Sequence, residues 1–101
     1  MNHWAEYPVP AMHHEALYGD RVVHCFADRP KSFHALFDTA RRAHPAADAM
    51  VFEGRRWRYD ETGAEAERLA AGFAARGLLA GDRVLMLLNN RPEFVTVLLA
   101  L

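Results

Sequence analysis

The chain has 101 residues, 51% hydrophobic and 25% charged, which suits one folded globular domain and excludes a disordered segment. Its 12 basic and 13 acidic residues give a formal net charge of −1, so we expect no nucleic acid partner. No apolar run approaches the ~18 residues of a membrane span, and the start holds no signal-peptide core. The single cysteine, Cys25, excludes an intramolecular disulfide and favours a reducing compartment, so a cytoplasmic location is expected.

Residues 1–31 are predicted to form an extended leader arm. Tyr7-Pro8-Val9-Pro10 should be extended, because proline fixes its own φ and keeps the preceding residue out of the helical region. Tyr18-Gly19-Asp20 indicates a turn, and residues 22–26 indicate a short strand. We expect the arm to lie over a larger body, because it is too apolar for a free tail. Its aromatic residues are Trp4, Tyr7, Tyr18 and Phe26.

A helix and a β-hairpin are predicted next. Ser32 is the expected N-cap, and apolar residues follow at i, i+3, i+4 and i+7 until His44-Pro45 ends the helix. Residues 49–52 and 56–59 are the expected strands, joined by a turn at Glu53-Gly54. Alternation of the return strand places Trp57 and Tyr59 towards the core and Arg56 and Arg58 towards water.

The clearest predicted element is a second helix that begins near Asp60 and Glu61, whose charges favour the positive end of the helix dipole. Gly77 is the expected left-handed C-cap, with Leu78 in a supporting hydrophobic contact. Gly72 is interpreted as a site of close packing. The predicted inner face consists of Ala66, Leu69, Ala70 and Phe73.

The end of the chain predicts a fold that is incomplete on its own. Val84-Leu85-Met86-Leu87-Leu88 is continuously apolar, as in a parallel strand buried on both faces, and Pro92 opens a further helix. Such a crossover helix returns the chain to a neighbouring strand, which the chain lacks. Because residue 1 is Met, we expect the missing part to follow Leu101. Alternatively, the hairpin and this strand form one small sheet with the helices on one side.

No catalytic, cofactor-binding or metal-binding residue is predicted. Neither common phosphate-binding glycine motif nor a Gly-x-Ser-x-Gly elbow is present. Ser32 is explained as a cap and Cys25 as a buried, inert thiol. The adjacent pairs His13-His14 and His24-Cys25 lack the spacing of metal ligands. A recurrence every ten residues fits neither helix nor strand, and it is shown by His14, His24, His34 and His44.

Charged clusters are interpreted as structural. Arg55-Arg56-Trp57-Arg58 has the residue types of a phosphate-contacting patch, but alternation along one strand accounts for every residue. The acids Glu61, Glu65 and Glu67 have the type needed for acid/base chemistry. A solvated helix face explains them better.

Ordered phrases spread over residues 32–101 carry a family resemblance. They are residues 32–37, residues 49–59, residues 65–73, Arg76-Gly77, residues 81–84 and residues 90–94. In order and spacing they resemble the N-terminal region of AMP-forming acyl-CoA synthetases. That superfamily also includes luciferases and the adenylation domains of peptide synthetases. The chain departs from the family at Arg58, where Ser or Thr is usual, at Thr62, where an apolar residue is usual, and at Glu67, where Asn is frequent.

The resemblance implies an α/β fold, with residues 32–101 as the truncated start of the large AMP-binding domain, ordered helix–β-hairpin–helix–strand–helix. It implies a parent enzyme that joins a carboxylic acid to coenzyme A with ATP and Mg²⁺, through an acyl-adenylate, in the setting of fatty acid metabolism. The family's phosphate loop and catalytic lysine lie downstream of the matched region. The 101 residues are therefore expected to be inactive scaffold whose main partner is the rest of their own chain.

Two alternatives stay open. One is the start of a peptide-synthetase-type adenylation domain, which would hand its product to a carrier protein instead of coenzyme A. The other is a self-contained small α/β binding module without catalysis.

Overall fold

A β-hairpin occupies most of the predicted leader in the computed structural model, which describes residues 7–101. Strands β1 (Met12–Tyr18) and β2 (Arg21–Phe26) pair antiparallel, with an irregularity between Ala16 and Tyr18. The predicted turn and second strand are confirmed. The segment folds back on itself where a single extended arm was expected, because the apolar pattern of β1 is too weak to mark it as a strand. Trp4 lies outside the described residues.

The first hairpin buries little. Between residues 7 and 31, no side chain is fully buried, and only Glu15, Val23 and Cys25 are half-buried. A two-stranded hairpin without a hydrophobic face to cover is marginally stable in water. The chain divides into two compact units at Lys31 and Ser32, so this hairpin belongs to a unit of its own.

Helix α1 (Phe33–Ala43) opens the second unit as the sequence predicts. The backbone N–H of Ala35 donates to the hydroxyl of Ser32 over 3.1 Å, which confirms the N-cap. The helix ends at Ala43, and His44 donates its N–H to the carbonyl of Ala40. Pro45 cannot continue the helix, since it lacks an N–H.

The second hairpin has the predicted turn. Strands β3 (Asp48–Phe52) and β4 (Arg55–Arg58) are joined by Glu53 and Gly54, which have φ of 48° and 79°. Positive φ at both central residues is the requirement of a type I′ turn, whose twist matches that of paired strands. Trp57 is buried and the side chains of Arg56 and Arg58 face water, as predicted. Tyr59, which was expected in the strand, begins the next helix instead.

Helix α2 (Tyr59–Ala75) begins without the usual capping side chain. Arg58 stands at the N-cap and has no acceptor atom to offer the helix N–H groups. Glu61 supplies the reciprocal half of a capping box, since its carboxylate accepts the N–H of Arg58 over 2.9 Å. The preceding loop satisfies two more donors, because Tyr59 and Asp60 donate their N–H groups to the carbonyls of Ala47 and Pro45.

The C-terminus of α2 is a Schellman motif. Gly77 has φ of 92°, its N–H donates to the carbonyl of Ala74, and the N–H of Leu78 donates to the carbonyl of Phe73. The predicted glycine cap is therefore confirmed. The interpretation of Gly72 is wrong, because a Cβ there would meet no atom of the described residues within 4 Å. Gly72 lies on the exposed face of the helix, where nothing packs against it.

An arginine joins α1 to α2. The guanidinium of Arg41 lies over Gly63, where an added Cβ would come within 2.5 Å of it, and forms an ion pair with Glu67 one turn later. The hydrogen bond and charge of Arg41 hold the pKa of the Glu67 carboxyl below its usual value. Gly63 thus leaves space for the guanidinium of Arg41, and Glu67, one helical turn later, pairs with its charge.

The core of the second unit is small. Among the described residues, the buried hydrophobic side chains are those of Trp57, Ala66 and Leu99. Thr62 is completely buried, and its hydroxyl has no hydrogen-bond partner among them. Thr96 is also buried, but its hydroxyl donates to the carbonyl of Pro92 over 3.3 Å. An unpartnered buried hydroxyl costs free energy that a paired one does not.

The predicted strand at residues 84–88 is not formed. This segment has no strand partner among residues 7–101, since β3 and β4 pair only with each other. Leu85 and Leu87 are 82% and 86% exposed. A strand exists only where a neighbour accepts its ladder hydrogen bonds, so an apolar pattern alone does not form one. The alternative of a single sheet that includes this segment is excluded for the described residues.

Helix α3 (Pro92–Ala100) follows the apolar segment. Pro92 occupies the first turn, where its missing N–H costs nothing, and Arg91 pairs with Glu93 through contacts of 2.7 and 3.0 Å. Thr96 and Leu99 are its buried residues. The mixture of helices and small sheets confirms an α/β fragment that is incomplete on its own. Within residues 7–101, no helix combines the length and apolarity needed to cross a bilayer.

We predict opposite effects of alanine at the two glycines of α2. Gly77→Ala should lower the free energy of unfolding by about 1 kcal/mol, because alanine is strained at positive φ. Gly72→Ala should raise it by about 0.5–1 kcal/mol, because Gly72 has open space and alanine favours helix. Urea unfolding followed by circular dichroism measures both. Effects of the same sign would contradict the assigned cap.

Removal of the unpartnered hydroxyl should stabilise the protein. We expect Thr62→Val to raise the free energy of unfolding by about 1 kcal/mol, since valine has the same shape and leaves no buried polar atom. The matched control Thr96→Val should give no gain, because it removes a hydrogen bond. A loss of stability in Thr62→Val in the same urea titration would show that the hydroxyl has a partner.

The carboxyl of Glu67 should titrate below its usual range in an NMR pH titration. Arg41→Gln should raise that pKa towards the ordinary ~4.3, while Arg42→Gln should leave it unchanged, because Arg42 pairs with Asp38. The small stabilisation from this pair is present above the unfolded pKa and is lost as the pH falls through the lower folded pKa. An unchanged Glu67 titration in Arg41→Gln would refute the pairing.

Candidate functional site

The arginines of β4 are all engaged within the protein. The guanidinium of Arg55 lies 4.4 Å from the centre of the Trp57 ring, and Arg56 forms an ion pair with Asp48. Arg58 lies beside the two acids that open α2, at 3.4 and 3.8 Å. The alternation predicted for Arg56, Trp57 and Arg58 is thus observed, and the absence of a phosphate-binding role stays a prediction.

Two acids of α2, Glu61 and Glu67, take part in structural contacts. Glu61 accepts the N–H of Arg58, and Glu67 pairs with Arg41. A general acid at neutral pH needs a raised pKa, whereas Arg41 lowers that of Glu67. These carboxylates therefore serve the helix and its contact with α1.

A cluster of chemically reactive side chains lies on one face of the β1–β2 hairpin. His13 and Cys25 are direct cross-strand partners, and Glu15 follows His13 on the same face. The Glu15 carboxylate oxygen Oε2 is 3.0 Å from His13 Nε2 and 3.8 Å from Cys25 Sγ. One ligand atom from each of the three residues lies within 4.8 Å of the others. We call His13, Glu15 and Cys25 the hairpin triad.

Arg29 contacts the hairpin triad from the segment that follows β2. Its Nη2 donates to Glu15 over 2.9 Å, and its Nη1 donates to Cys25 Sγ over 3.2 Å. Hydrogen bonds from His13 and Arg29 hold the pKa of Glu15 below its usual value, and the same contact with Glu15 raises the pKa of Arg29. The carboxylate is thus kept ionised, with a cation beside it.

The opposite face of the hairpin holds the stacked rings of His14 and His24. Their centroids are 4.7 Å apart, and the ring planes are inclined by 16°. A spacing of ten residues becomes a direct contact because the hairpin turn lies between the two histidines. The adjacent residues His13 and His14 therefore lie on opposite faces of the hairpin. His13 is paired with Cys25 across the strands, and His14 with His24.

The sequence could not give this register. A two-residue turn at Gly19-Asp20, continued without irregularity, would place His14 opposite Cys25. The bulge between Ala16 and Tyr18 shifts the pairing by one residue and places His13 there instead. A one-residue shift moves every side chain to the other face. The only sequence signal was a reactive residue on each side of a predicted turn.

An apolar groove lies between the second hairpin and α3. It has a volume of about 330 Å³ and is lined by β3 and the first turn of α3. The Arg91 side chain forms part of its lining and pairs with Glu93. The groove holds no cluster of titratable groups, so it offers a binding surface without a reactive centre.

The model of one protein family, described as AMP-binding enzyme, matches residues 37–101. The matched part runs from α1 through the second hairpin, α2 and the apolar segment to the end of α3. It excludes the first hairpin and the hairpin triad.

Curated proteins show similarity to part of the chain. The chain is 42% identical over 66 residues to triostin synthetase I from Streptomyces triostinicus, covering 65% of this chain and 12% of that protein. It is 42% identical over 57 residues to the vibriobactin-specific 2,3-dihydroxybenzoate-AMP ligase of Vibrio cholerae, covering 56% of this chain and 10% of that protein. It is 37% identical over 60 residues to the acetoacetyl-coenzyme A synthetase of Rhizobium meliloti, covering 54% of this chain and 9% of that protein.

The chain spans about a tenth of the length of these relatives. No solved structure gives a significant match. The family match nevertheless covers well over half of the chain and includes every phrase of the resemblance from the second hairpin onwards. The chain therefore belongs to the family of AMP-binding enzymes.

Proposed function

We propose that this chain is the N-terminal part of an ATP-dependent ligase that activates a carboxylic acid as its acyl-adenylate. The family match over residues 37–101 carries the proposal. The relatives' names support it, since one is an AMP ligase of 2,3-dihydroxybenzoate and another a synthetase of acetoacetyl-coenzyme A. Activation of a carboxyl group is the chemistry that these two names share.

The residues described here do not fit a site for ATP or Mg²⁺. The arginines of β4 are engaged by Trp57 and by acids, and Glu61 and Glu67 are held by backbone and by Arg41. The printed sequence has no glycine-rich phosphate loop. We therefore assign no residue of this chain to a chemical step. Its proposed contribution is to the folded scaffold of the large domain.

The exposed apolar segment at residues 84–88 supports a role as part of a larger domain. Leu85 and Leu87 expose 82% and 86% of their surface, although burial of each leucine would gain about 1.5–3 kcal/mol. A strand from elsewhere in the same protein, paired with this segment and covered by helices, would recover that free energy. The rest of its own chain is therefore the proposed main partner.

Coenzyme A is our proposed acceptor of the acyl group. The sequence Asn90-x-Pro92-Glu93-Phe94 resembles acyl-CoA ligases more than peptide-synthetase domains, and one relative is named as a coenzyme A synthetase. The overall reaction would convert acid, ATP and coenzyme A into acyl-CoA, AMP and pyrophosphate. A carrier protein is the second candidate acceptor. The resemblance to peptide-synthetase adenylation domains, together with the similarity to triostin synthetase I, supports it. A cytoplasmic location and a role in fatty acid metabolism stay predictions.

Acid-dependent exchange of labelled pyrophosphate into ATP tests the proposed activation step. The whole natural protein, isolated from its source, should catalyse exchange with at least one acid from a panel of aryl, short-chain, fatty and amino acids. Purified residues 1–101 should catalyse none. Exchange by the 101 residues alone would refute the scaffold role, and a natural protein inactive with every acid would refute the ligase proposal.

The acceptor is tested on the acid that supports exchange. Addition of coenzyme A should give acyl-CoA, detected by mass spectrometry, with release of AMP. A natural protein that carries a phosphopantetheine-bearing carrier domain and leaves free coenzyme A unacylated would establish the second candidate. Formation of acyl-CoA without a carrier domain would exclude it.

Two exposed leucines provide a matched test of the larger domain. Leu87 and Leu79 are 86% and 72% exposed in this chain, so aspartate should be tolerated equally at both in residues 1–101. In the whole natural protein we expect Leu87→Asp to lower the urea midpoint strongly, because it would bury an unpaired charge. Leu79→Asp should have little effect. Equal tolerance in the natural protein would mean that nothing covers the segment.

A further inference from the structure

We propose that the hairpin triad is a zinc-binding site, with His13 Nε2, Glu15 Oε2 and Cys25 Sγ as ligands. The sequence analysis predicted no metal site, because neighbouring histidines do not converge along one strand. The register of β1 and β2 brings together three side chains that are distant or badly spaced in the sequence. The site lies outside the family match, so it is independent of the proposed ligase activity.

The spacing of the three atoms suits a tetrahedral metal. With zinc bonds of ~2.0–2.1 Å to nitrogen and oxygen and ~2.3 Å to sulfur, tetrahedral angles place N and O ~3.4 Å apart and S and O ~3.6 Å apart. The corresponding separations in the hairpin triad are 3.0 Å and 3.8 Å. All three atoms lie within 4.8 Å of one another, so rotations of the side chains would bring them closer to these spacings.

The donor set also selects the metal. Imidazole, thiolate and carboxylate are the three ligand types of protein zinc sites, whereas Mg²⁺ and Ca²⁺ prefer oxygen alone. On binding, the Cys25 thiol loses its proton to solvent, and its sulfur lone pair forms the bond to zinc. Water would occupy the fourth position, since His13 and Glu15 are partly open to solvent.

Arg29 contacts two of the proposed ligand atoms. Its guanidinium donates to both Glu15 Oε2 and Cys25 Sγ, so a cation already lies beside the pair. The Arg29 side chain is 37% exposed and follows β2 in a segment without helix or strand, so it has room to move into solvent. Zinc and Arg29 therefore compete for the triad, and removal of Arg29 should favour the metal.

A zinc site would stabilise the first hairpin. No side chain between residues 7 and 31 is fully buried, and an isolated two-stranded hairpin is marginally stable. A metal that links one residue pair across the strands stabilises the paired state by its own binding free energy. Zinc would thus fix β1 to β2 where a hydrophobic core does not.

Co²⁺ is the probe, because a cobalt–thiolate bond gives a charge-transfer absorption that oxygen and nitrogen ligands do not. Residues 1–101 carrying His3→Ala, which removes a histidine outside the described residues, are titrated with Co²⁺ under reducing conditions and then with Zn²⁺ in competition. We expect the absorption to appear at one equivalent and to be displaced by zinc. Cys25→Ser should abolish it, and His13→Ala, which removes a direct ligand, should weaken zinc binding by at least the ~10–100-fold that is typical for loss of an outer-shell partner.

His14→Ala is the matched control, because His14 is the adjacent histidine on the opposite face. It should leave the absorption and the zinc affinity unchanged, while Arg29→Gln should tighten binding. Absence of the charge-transfer absorption would overturn the proposal. Equal weakening by His14→Ala and His13→Ala would also overturn it, since that is adventitious chelation by consecutive histidines.

Discussion

The apolar segment at residues 84–88 carries more hydrophobic surface than the described part of the chain covers. Leu85 and Leu87 are largely exposed, and β3 and β4 do not extend to pair with them. Burial of apolar surface is the main favourable term in folding, so we propose that this segment has a partner outside the described residues. Such a partner would account for a family match that runs through a region without a strand, and for the small number of buried side chains in the second unit.

The second unit is organised around α2 rather than around a large core. Its start depends on Glu61 in place of a capping hydroxyl, and its end on Gly77 in the left-handed conformation. Arg41 connects it to α1 through Glu67 and across Gly63. All three departures from the family pattern, Arg58, Thr62 and Glu67, lie in this region, and two of them take part in these contacts. Only the buried hydroxyl of Thr62 has no compensating contact.

Local signals predicted much of the fold. Ser32, the Glu53-Gly54 turn and the Gly77 cap each fix backbone geometry through their own chemistry, so the element ends near them were predictable. The predicted strand at residues 84–88 is not formed, because an apolar run indicates that a segment is suited to burial but not whether its partner is present. The hairpin triad was not predictable, because it depends on a bulge that shifts the register by one residue. The family resemblance supplied the proposed function, which no described residue carries by itself.

Amide hydrogen exchange at residues 84–88 in the whole natural protein tests the central claim most directly. If residues outside this chain pair with the segment, its amides should exchange as slowly as those in the middle of α2, since both would be hydrogen-bonded and covered. Rapid exchange, like that of an exposed loop, would contradict the account. It would mean that the apolar segment stays uncovered and that the chain is not part of a larger sheet.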